Sequence, residues 1–481
     1  MRVEMALHNN LGVNLRRLDP VFSTWDVEKL RSEYDPVTSF GFNWDRTNAP
    51  TDSILAGGDT ITDIFTNYDF SFRKPFSKGS SIEAGFSGAR NRSTNFFTSL
   101  VPAIDTDIKI EFRQNLLRGL GKIDTEYRLE VARNHVDISE MELAQQVLDT
   151  VTEVQIAYWD LLFSRRDIDV KQKSLQLAQE ILSQNQARFE VGRVARLEVV
   201  EAEAEAASRK EQLVRSEFGS RQIQDRLVTL ITSFEDPREL NASIRPTQRP
   251  LVPDAASRSF DLLMSRARER RPELLQADAQ IVNDRVELQR TRNRLKPELD
   301  MVMAFRLISL GGNRVIRDFS GGFVNPPIVS FEPGGVGDSF EQLFSGDFYG
   351  YTVGLDLRLP IGNSDARADN AKAQINLQRA ELQRQAAAQR VAREIREALT
   401  KIDMNRASLE AASATVRLGR EHLEGEQARF EVGQGTTRSV IEAQRDLLLA
   451  AVTELQAQIN LIKSHVQLDR ATGTTLERHQ I

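Results

Sequence analysis

The sequence predicts an α+β membrane protein made of two copies of one structural unit. Three observations lead to this prediction: a repeat that relates the two halves of the chain, two long windows without proline, and several segments in which apolar and polar residues alternate. The repeat indicates internal twofold symmetry, the proline-free windows favour long helices, and the alternating segments favour β-strands.

The repeat is centred on the hexamer ARFEVG, which occurs at residues 187–192 and again at residues 428–433. The offset between the two copies is 241 residues in a chain of 481. The match continues beyond the hexamer at the same offset, where Val199, Glu201 and Ala202 correspond to Val440, Glu442 and Ala443. Two copies of one supersecondary unit are therefore predicted.

Long helices are predicted in the two windows without proline, residues 103–236 and 361–481. Apolar residues recur there at seven-residue spacing, at Val147, Val154, Leu161, Ile168, Leu175, Leu182 and Phe189. The residues 241 positions later are also apolar: Ala388, Ile395, Ile402, Leu409, Val416, Leu423 and Phe430. These heptad seams predict coiled-coil packing of helices that each extend over about 100 Å.

A helical hairpin is predicted in each unit because the hexamer ends in glycine, a residue typical of helix C-termini. A second amphipathic stretch follows each glycine, at residues 197–231 and 439–472. Each long helix is therefore expected to turn at its glycine and return as a second helix.

Amphipathic strands are predicted where the period changes to two, most regularly at residues 349–359. Similar alternation occurs at residues 40–44, 68–72, 108–112 and 299–307. Strands that are apolar on one face and polar on the other are typical of a transmembrane barrel with a wet interior. The edge of a soluble β-sandwich is the alternative interpretation.

The strand number predicts a barrel that several chains share. Each half supplies one clear strand pair, which gives about four strands per protomer, or six if residues 67–90 fold as an additional hairpin. Four strands are too few to close a barrel, and an open edge in lipid would leave backbone groups unpaired. The sequence alone leaves the number of chains open.

Composition and motifs exclude several other classes. The formal net charge is -6 with both signs dispersed, so no basic surface for nucleic acid is expected. The longest apolar runs, such as residues 157–163, are far shorter than the roughly 18 to 20 residues of a membrane-spanning helix. The five histidines are scattered, and no HExxH, GxSxG or P-loop pattern occurs, so we expect no enzyme activity, metal or cofactor. Residues 1–19 lack the pattern of a signal peptide.

The chain resembles the TolC family of outer-membrane efflux proteins over nearly its whole length. The resemblance lies in ALHNN at residues 6–10, Arg271 with Pro272, VGLDLRLPIGN at residues 353–363, LLRGLG at residues 116–121, and the two RFEVG segments. It implies a homotrimer with a shared twelve-stranded barrel in outer-membrane lipid, continued by an α-helical coiled-coil barrel through the periplasm. A periplasmic adaptor protein and an inner-membrane pump or transporter would complete the export path.

The predicted organisation follows the repeat. Repeat 1 comprises a helix at 1–35, barrel strands and extracellular loops at 36–116, and a helical hairpin at 117–232 with its tip near 190–198. An equatorial linker at 233–257 leads to repeat 2. Repeat 2 comprises a helix at 258–296, barrel strands and a loop at 297–360, and a helical hairpin at 361–475 with its tip near 431–439.

The pore is expected to be narrowest at the hairpin tips, where charge would set selectivity. Similar family members carry acidic residues one turn apart where this chain has Ser439 and Glu442, and the repeat adds Glu198 and Glu201. We predict that these four residues form the constriction, with Glu442 as a ring of three carboxylates. The alternative is that the glutamates are solvated residues in the first turn of a helix, where they offset the helix dipole.

Two further sets of tip residues are predicted to act there. Arg193, Arg196 and Arg438 could form salt bridges with the glutamates across the tips and hold a closed gate. Val191, Gly192, Val432 and Gly433 are expected to contact the adaptor, because small residues permit close helix approach; simple helix capping is the alternative.

The predicted function is therefore conduction of exported substrates across the outer membrane. The alternative is a structural or adaptor coiled-coil protein that tethers membranes without forming a pore.

Overall fold

The computed structural model describes residues 2–52, 59–95, 97–233, 243–248, 250, 259–322, 326–432, 434 and 437–479. The chain divides into two compact units. One consists of Met1–Ser23, His135–Ile281 and Arg379–Ile481, and the other of Thr24–Asn134 and Val282–Gln378. Most of the predicted linker at 233–257 lies outside the described residues.

The helices in the described part of the chain are α1 (Arg2–Asn9), α2 (Leu11–Arg31), α3 (Lys122–Thr125), α4 (Tyr127–Glu190), α5 (Arg196–Ile231), α6 (Phe260–Arg270), α7 (Pro272–Arg294), α8 (Val336–Ser345), α9 (Ser364–Glu431), α10 (Thr437–Thr472) and α11 (Thr475–His479). The strands are β1 (Val37–Pro50), β2 (Thr60–Pro75), β3 (Ser80–Ser93), β4 (Leu100–Asn115), β5 (Glu298–Arg317), β6 (Ile328–Glu332) and β7 (Tyr349–Arg358).

The two hairpins of very long helices that the repeat predicted are present. Helix α4 has 64 residues and α9 has 68, and each is followed by a returning helix of 36 residues. No described helix combines the length and apolar character needed to span a membrane.

The helical unit is held together by clusters of buried apolar residues that repeat with the sequence. Val154 and Leu161 lie in one cluster with Leu227, and their counterparts 241 residues later, Ile395 and Ile402, lie in another with Leu468. Heptad positions nearer the tip become partly exposed, and Phe189 is exposed. The heptad seam is therefore tightly packed only far from the tip in the single chain.

Arg271 is the largest fully buried side chain of the helical unit, at a break that the sequence did not predict. The helix expected at 258–296 ends as α6 and restarts as α7 at Pro272, because proline is favoured at the first helical position, where its missing N–H costs nothing. Arg271 donates from Nη1 to the Arg470 carbonyl oxygen at 2.9 Å and forms ion pairs with Glu273 at 2.7 Å and Glu394 at 3.0 Å.

The seven strands of the described residues form one antiparallel sheet in the other unit. The order is β1, β2, β3, β4 and β5, and the far edge of β5 pairs with β7 along its first half and with β6 near its end. Strands β6 and β7 thus follow one another along the same edge, so the sheet is six strands wide.

The prediction of about four strands per protomer is wrong, and the alternative with an additional hairpin within residues 67–90 is confirmed. Strands β2 and β3 form this hairpin and lie between β1 and β4. The sequence of β3 shows only weak alternation of apolar and polar residues, because the small residues Ala84 and Gly88 occupy positions on its apolar face. The Tyr68 ring on β2 covers the space that a Cβ atom at Gly88 would need.

The two faces of the sheet differ in polarity across its full width. One face, called the apolar face here, carries the large exposed residues Phe40, Phe42, Phe70, Ile110, Met303, Phe305, Tyr351, Val353 and Leu355. The opposite, polar face carries Asn43, Asp69, Arg73, Asp107, Lys109, Glu111, Arg113, Arg306 and Asp356, and several of these charges are paired with one another. An exposed apolar surface of this extent marks contact with a membrane or another protein.

Helix α8 packs on the apolar face beside β5. The Ser339 hydroxyl lies 2.9 Å from that of Thr106 and 2.7 Å from that of Ser309, and the Phe340 ring stacks on Phe86 at 5.8 Å. Gln342 accepts a hydrogen bond from the backbone N–H of Leu310 on the edge of β5 that faces away from β4, between the segments paired with β7 and with β6. Helix α8 therefore provides a hydrogen-bond acceptor for a backbone N–H group of β5 in the gap between β6 and β7.

Candidate functional site at the helical tips

The first hairpin tip is a short turn closed by glycine. Gly192 has a φ of 72°, and the Arg193 N–H donates to the Arg188 carbonyl oxygen at 2.9 Å. A glycine in the left-handed region together with this bond is the usual way to end a helix, because it satisfies carbonyl groups of the last turn. The turn reverses the chain into α5, which begins at Arg196.

The second tip has an equivalent bond. The Gln434 N–H donates to the Arg429 carbonyl oxygen at 2.8 Å, and both residues lie 241 positions after their counterparts at the first tip. Val432 is 70% exposed and its counterpart Val191 is 68% exposed, so both present an apolar side chain to the surroundings. Gly433, the other predicted adaptor contact at this tip, lies outside the described residues.

Arg438 at the second tip is influenced by carboxylates of both hairpins. Its Nε lies 2.9 Å from Oε1 of Glu442, one turn further along α10. The Glu442 carboxylate, together with the charges of Glu201 and Glu198 on α5, raises the pKa of the Arg438 guanidinium above its ordinary value. The Arg438 guanidinium therefore experiences the charges of three carboxylates, one on its own helix and two on α5.

The helix-dipole alternative applies to Glu198 and does not apply to Glu442. Glu198 lies in the first turn of α5, whose N-cap Ala195 makes no side-chain capping bond. Helix α10 begins at Thr437 and has no acidic residue in its first turn. Because the dipole effect fades beyond one turn, Glu442 needs another explanation.

Arg193 and Arg196, the other two predicted gate residues, form no ion pairs in the part of the chain that the structure describes. Both arginines are exposed. Ser439 is half-buried near the start of α10. A gate that uses the two arginines would therefore need contacts between chains.

Small buried residues, which were not singled out as functional from the sequence, allow close packing behind the charged cluster. Ala202 and Ala206 on α5 and Ala443 and Ala450 on α10 are buried although the neighbouring glutamates are not. Ala202 and Ala443 occupy equivalent positions in the two copies of the repeat. The recurrence of alanine at this position was the sequence signal that could have identified these packing residues.

A family model described as "Outer membrane efflux protein" matches residues 124–233 and 263–474, which include both hairpins and all three strands of the second repeat. The chain belongs to the outer membrane efflux protein family.

Known relatives of this outer membrane efflux protein agree with the assignment. The pyoverdine export outer membrane protein OpmQ of Pseudomonas aeruginosa is 21% identical over 434 residues, which cover 88% of this chain and 80% of that protein. A membrane protein from Pseudomonas aeruginosa shares the fold with a TM-score of 0.67 at 19% identity, over 98% of this chain and 91% of the other. The Campylobacter jejuni CmeC outer membrane channel matches with a TM-score of 0.65 at 16% identity, over 99% and 87%.

The protein is therefore a TolC-like efflux channel of the cell outer membrane. Its family consists of channels and is not a family of enzymes.

Proposed function

We propose that three copies of this chain join edge to edge into one closed barrel and conduct exported substrates as the outer-membrane part of a tripartite system. The observation that carries this proposal is the exposed apolar face of a sheet with two open edges. Within the described residues β1 pairs only with β2 and β7 only with β5. In lipid such edges must be paired, and repeated head-to-tail pairing of identical subunits closes a ring.

The charged tip cluster supports a selective constriction. Three tips would bring three copies of Glu442, Glu198 and Glu201 around one axis, and such carboxylate rings favour cations. Arg438 would lower the local negative charge and attract Glu201 and Glu198 on α5. Ser439, Arg193 and Arg196 complete the proposed constriction and gate through contacts between subunits.

The adaptor is proposed to bind at the hairpin tips, next to Val191, Gly192, Val432 and Gly433. The exposed valines support this proposal because they offer apolar surface at an otherwise charged tip. An inner-membrane pump or transporter would supply the energy, and the channel itself would be passive.

Cysteine cross-linking tests the shared barrel, and the chain is suited to it because it contains no native cysteine. Ser39→Cys on β1 is combined with Thr352→Cys on β7, both on the polar face, and the outer-membrane protein is treated with a short bismaleimide. We expect a covalent ladder that ends at three subunits. In the control, Ser87→Cys on β3 replaces the β1 cysteine and should give no ladder, since β3 is paired on both sides.

Planar-bilayer recording separates the channel from a membrane-tethering protein. If the protein is a channel, the purified oligomer should conduct ions across the bilayer. A ladder without conductance would favour a tether, and the absence of both would contradict the proposal.

A further inference from the structure

We infer that all six strand positions of each chain lie in the barrel wall, so that the cylinder has about eighteen strands and is wider than a twelve-stranded one. The inference rests on the proposed association of three chains. It goes beyond that proposal in the number of strands. Four strands from each of three chains would give the twelve-stranded barrel that the resemblance implies, whereas six from each give eighteen.

The hairpin β2–β3 is an interior part of the sheet. Strand β1 reaches β4 only through β2 and β3, which are hydrogen-bonded to each other and to both outer neighbours. A hairpin that projected from the barrel as a loop would leave β1 and β4 as direct partners. The observed order therefore places β2 and β3 in the wall whenever β1 and β4 both belong to it.

The apolar pattern continues across the hairpin in directly paired residues, and helix α8 covers part of it at Phe86. Directly paired residues form a row across six strands: Phe40, Phe70, Phe86, Ile108, Leu307 and Tyr349. The adjacent row on the other face is small or charged: Ser39, Ser71, Gly85, Lys109, Arg306 and Gly350. Strands β2 and β3 thus have the two-sided pattern of a barrel wall, in register with their neighbours.

Strand direction permits this wall to close. Every pairing in the sheet is antiparallel, and the sheet is six strands wide, so β7 and β1 run in opposite directions. The free edge of β7 in one subunit can therefore pair antiparallel with the free edge of β1 in the next. An odd number of positions would force a parallel seam, which barrels of this class do not use.

The consequence is a wider lumen in the membrane. Barrel diameter grows roughly linearly with strand number, so about eighteen strands give a diameter about 1.5-fold that of twelve. The polar face that lines this lumen carries charges of both signs, including the Lys109 and Glu111 pair at 2.8 Å. The membrane part of the channel would thus admit bulkier cargo and would show little charge preference of its own.

Alternating accessibility tests the inference in proteoliposomes. Single cysteines are placed on the two faces of β1 (Phe42→Cys and Asn43→Cys) and β2 (Phe70→Cys and Ser71→Cys), and a water-soluble, membrane-impermeant maleimide is added. Strand β5, which belongs to the wall in either case, supplies the control pair Phe305→Cys and Ala304→Cys. Maleimides react with the hydrated thiolate, so we expect polar-face positions to label at least roughly tenfold faster than apolar-face positions on all three strands.

The outcomes distinguish the wide barrel from the channel itself. Alternation on β5 together with equal labelling of both faces of β2, whatever the result on β1, would overturn the wide barrel and leave the channel intact. Equal labelling on β5 as well would contradict the proposed barrel altogether. Native mass spectrometry of the detergent-solubilised oligomer completes the test, since a subunit number other than three would contradict the count of about eighteen strands.

Discussion

Arg438 and Glu442 lie one turn apart on α10 and form an ion pair with an Nε to Oε1 distance of 2.9 Å. The pair lies at the tip of the second hairpin, within the electrostatic reach of Glu201 and Glu198 on the first. It therefore links the sequence repeat to the proposed function, because each copy of the repeat contributes carboxylates to one cluster.

Glu442→Gln is expected to lower cation selectivity. The change removes one carboxylate per subunit from the proposed ring and leaves Arg438 without its closest partner, so the local charge becomes less negative. The reversal potential in planar bilayers under a KCl gradient measures this effect. The control is Glu211→Gln, which breaks a similar exposed pair with Arg215 on α5 away from the tip. Equal shifts in the two variants would contradict the role of Glu442.

Arg438→Ser is expected to raise the resting conductance. The variant removes the ion pair with Glu442 on α10. It also removes the attraction between Arg438 and the charges of Glu201 and Glu198 on α5, so the two tips should separate more easily. The pair is largely exposed, and exposed pairs contribute about 0 to 1 kcal/mol, so the thermal midpoint should stay nearly unchanged. Single-channel recording at fixed voltage measures the conductance. An unchanged conductance would exclude Arg438 from the gate.

Arg196→Ser tests the part of the gate that depends on contacts between subunits. Arg196 forms no ion pair within the described part of one chain, so an effect on resting conductance would have to arise in the assembled oligomer. We expect the conductance to rise, as for Arg438→Ser. If the double variant is no more conductive than Arg438→Ser alone, the two arginines act in one gate; if Arg196→Ser alone has no effect, Arg196 is not part of it.

Arg271→Met is expected to destabilise the helical unit by about 3 to 5 kcal/mol, because it leaves the buried side of Glu273 and Glu394 without a cation. The free energy of unfolding in denaturant measures the loss. Arg393→Met is the matched control: its ion pair with Glu397 is exposed on both sides, so its loss should cost about 1 kcal/mol or less. Similar losses in the two variants would contradict a structural role for the buried arginine.

Much of the fold could be predicted because its long elements carry strong periodic signals. The heptad seam from Val147 to Phe189 recurs in the second half, and only long paired helices satisfy both copies. The number of strands was harder to predict, because the strand with Ala84 and Gly88 has small residues where its neighbours have aromatic ones. A cross-strand partner, Tyr68, supplies the missing apolar surface, and a single-strand pattern does not contain that information.

The tip cluster was predicted in composition but not in pairing. Sequence equivalence brought Glu442, Glu198 and Glu201 together as candidates, and the structure places all three near Arg438. The closest partner of Arg438 is on its own helix, whereas a pairing across the tips had been predicted. The spacing of four residues indicates such a pair, but several arginines compete at this tip and spacing alone does not choose between them.

The repeat predicts matched responses at equivalent core positions. Leu161→Ala and Ile402→Ala each remove a side chain that is almost completely buried in equivalent clusters, so each should cost about 2 to 5 kcal/mol. Leu418→Ala, at an exposed position on α9, should cost much less. Denaturant unfolding of the three variants measures these costs. A large loss at only one of the two buried sites would show that the two copies are not energetically equivalent.

Two glycine-to-alanine substitutions on the first hairpin should have effects of opposite sign. Gly192 has a φ of 72°, so alanine there is strained although no atom would touch its Cβ. The cost should be about 1 to 2 kcal/mol and should be concentrated at the tip. Gly219 lies inside α5 with open space around it, so alanine there should stabilise the helix by about 0.5 to 1 kcal/mol.

Hydrogen exchange would resolve the two effects, because amides at the end of α4 should exchange faster in Gly192→Ala and amides within α5 should exchange more slowly in Gly219→Ala. If Gly192→Ala left exchange at the tip unchanged, the left-handed turn would not be what holds the hairpin tip in place.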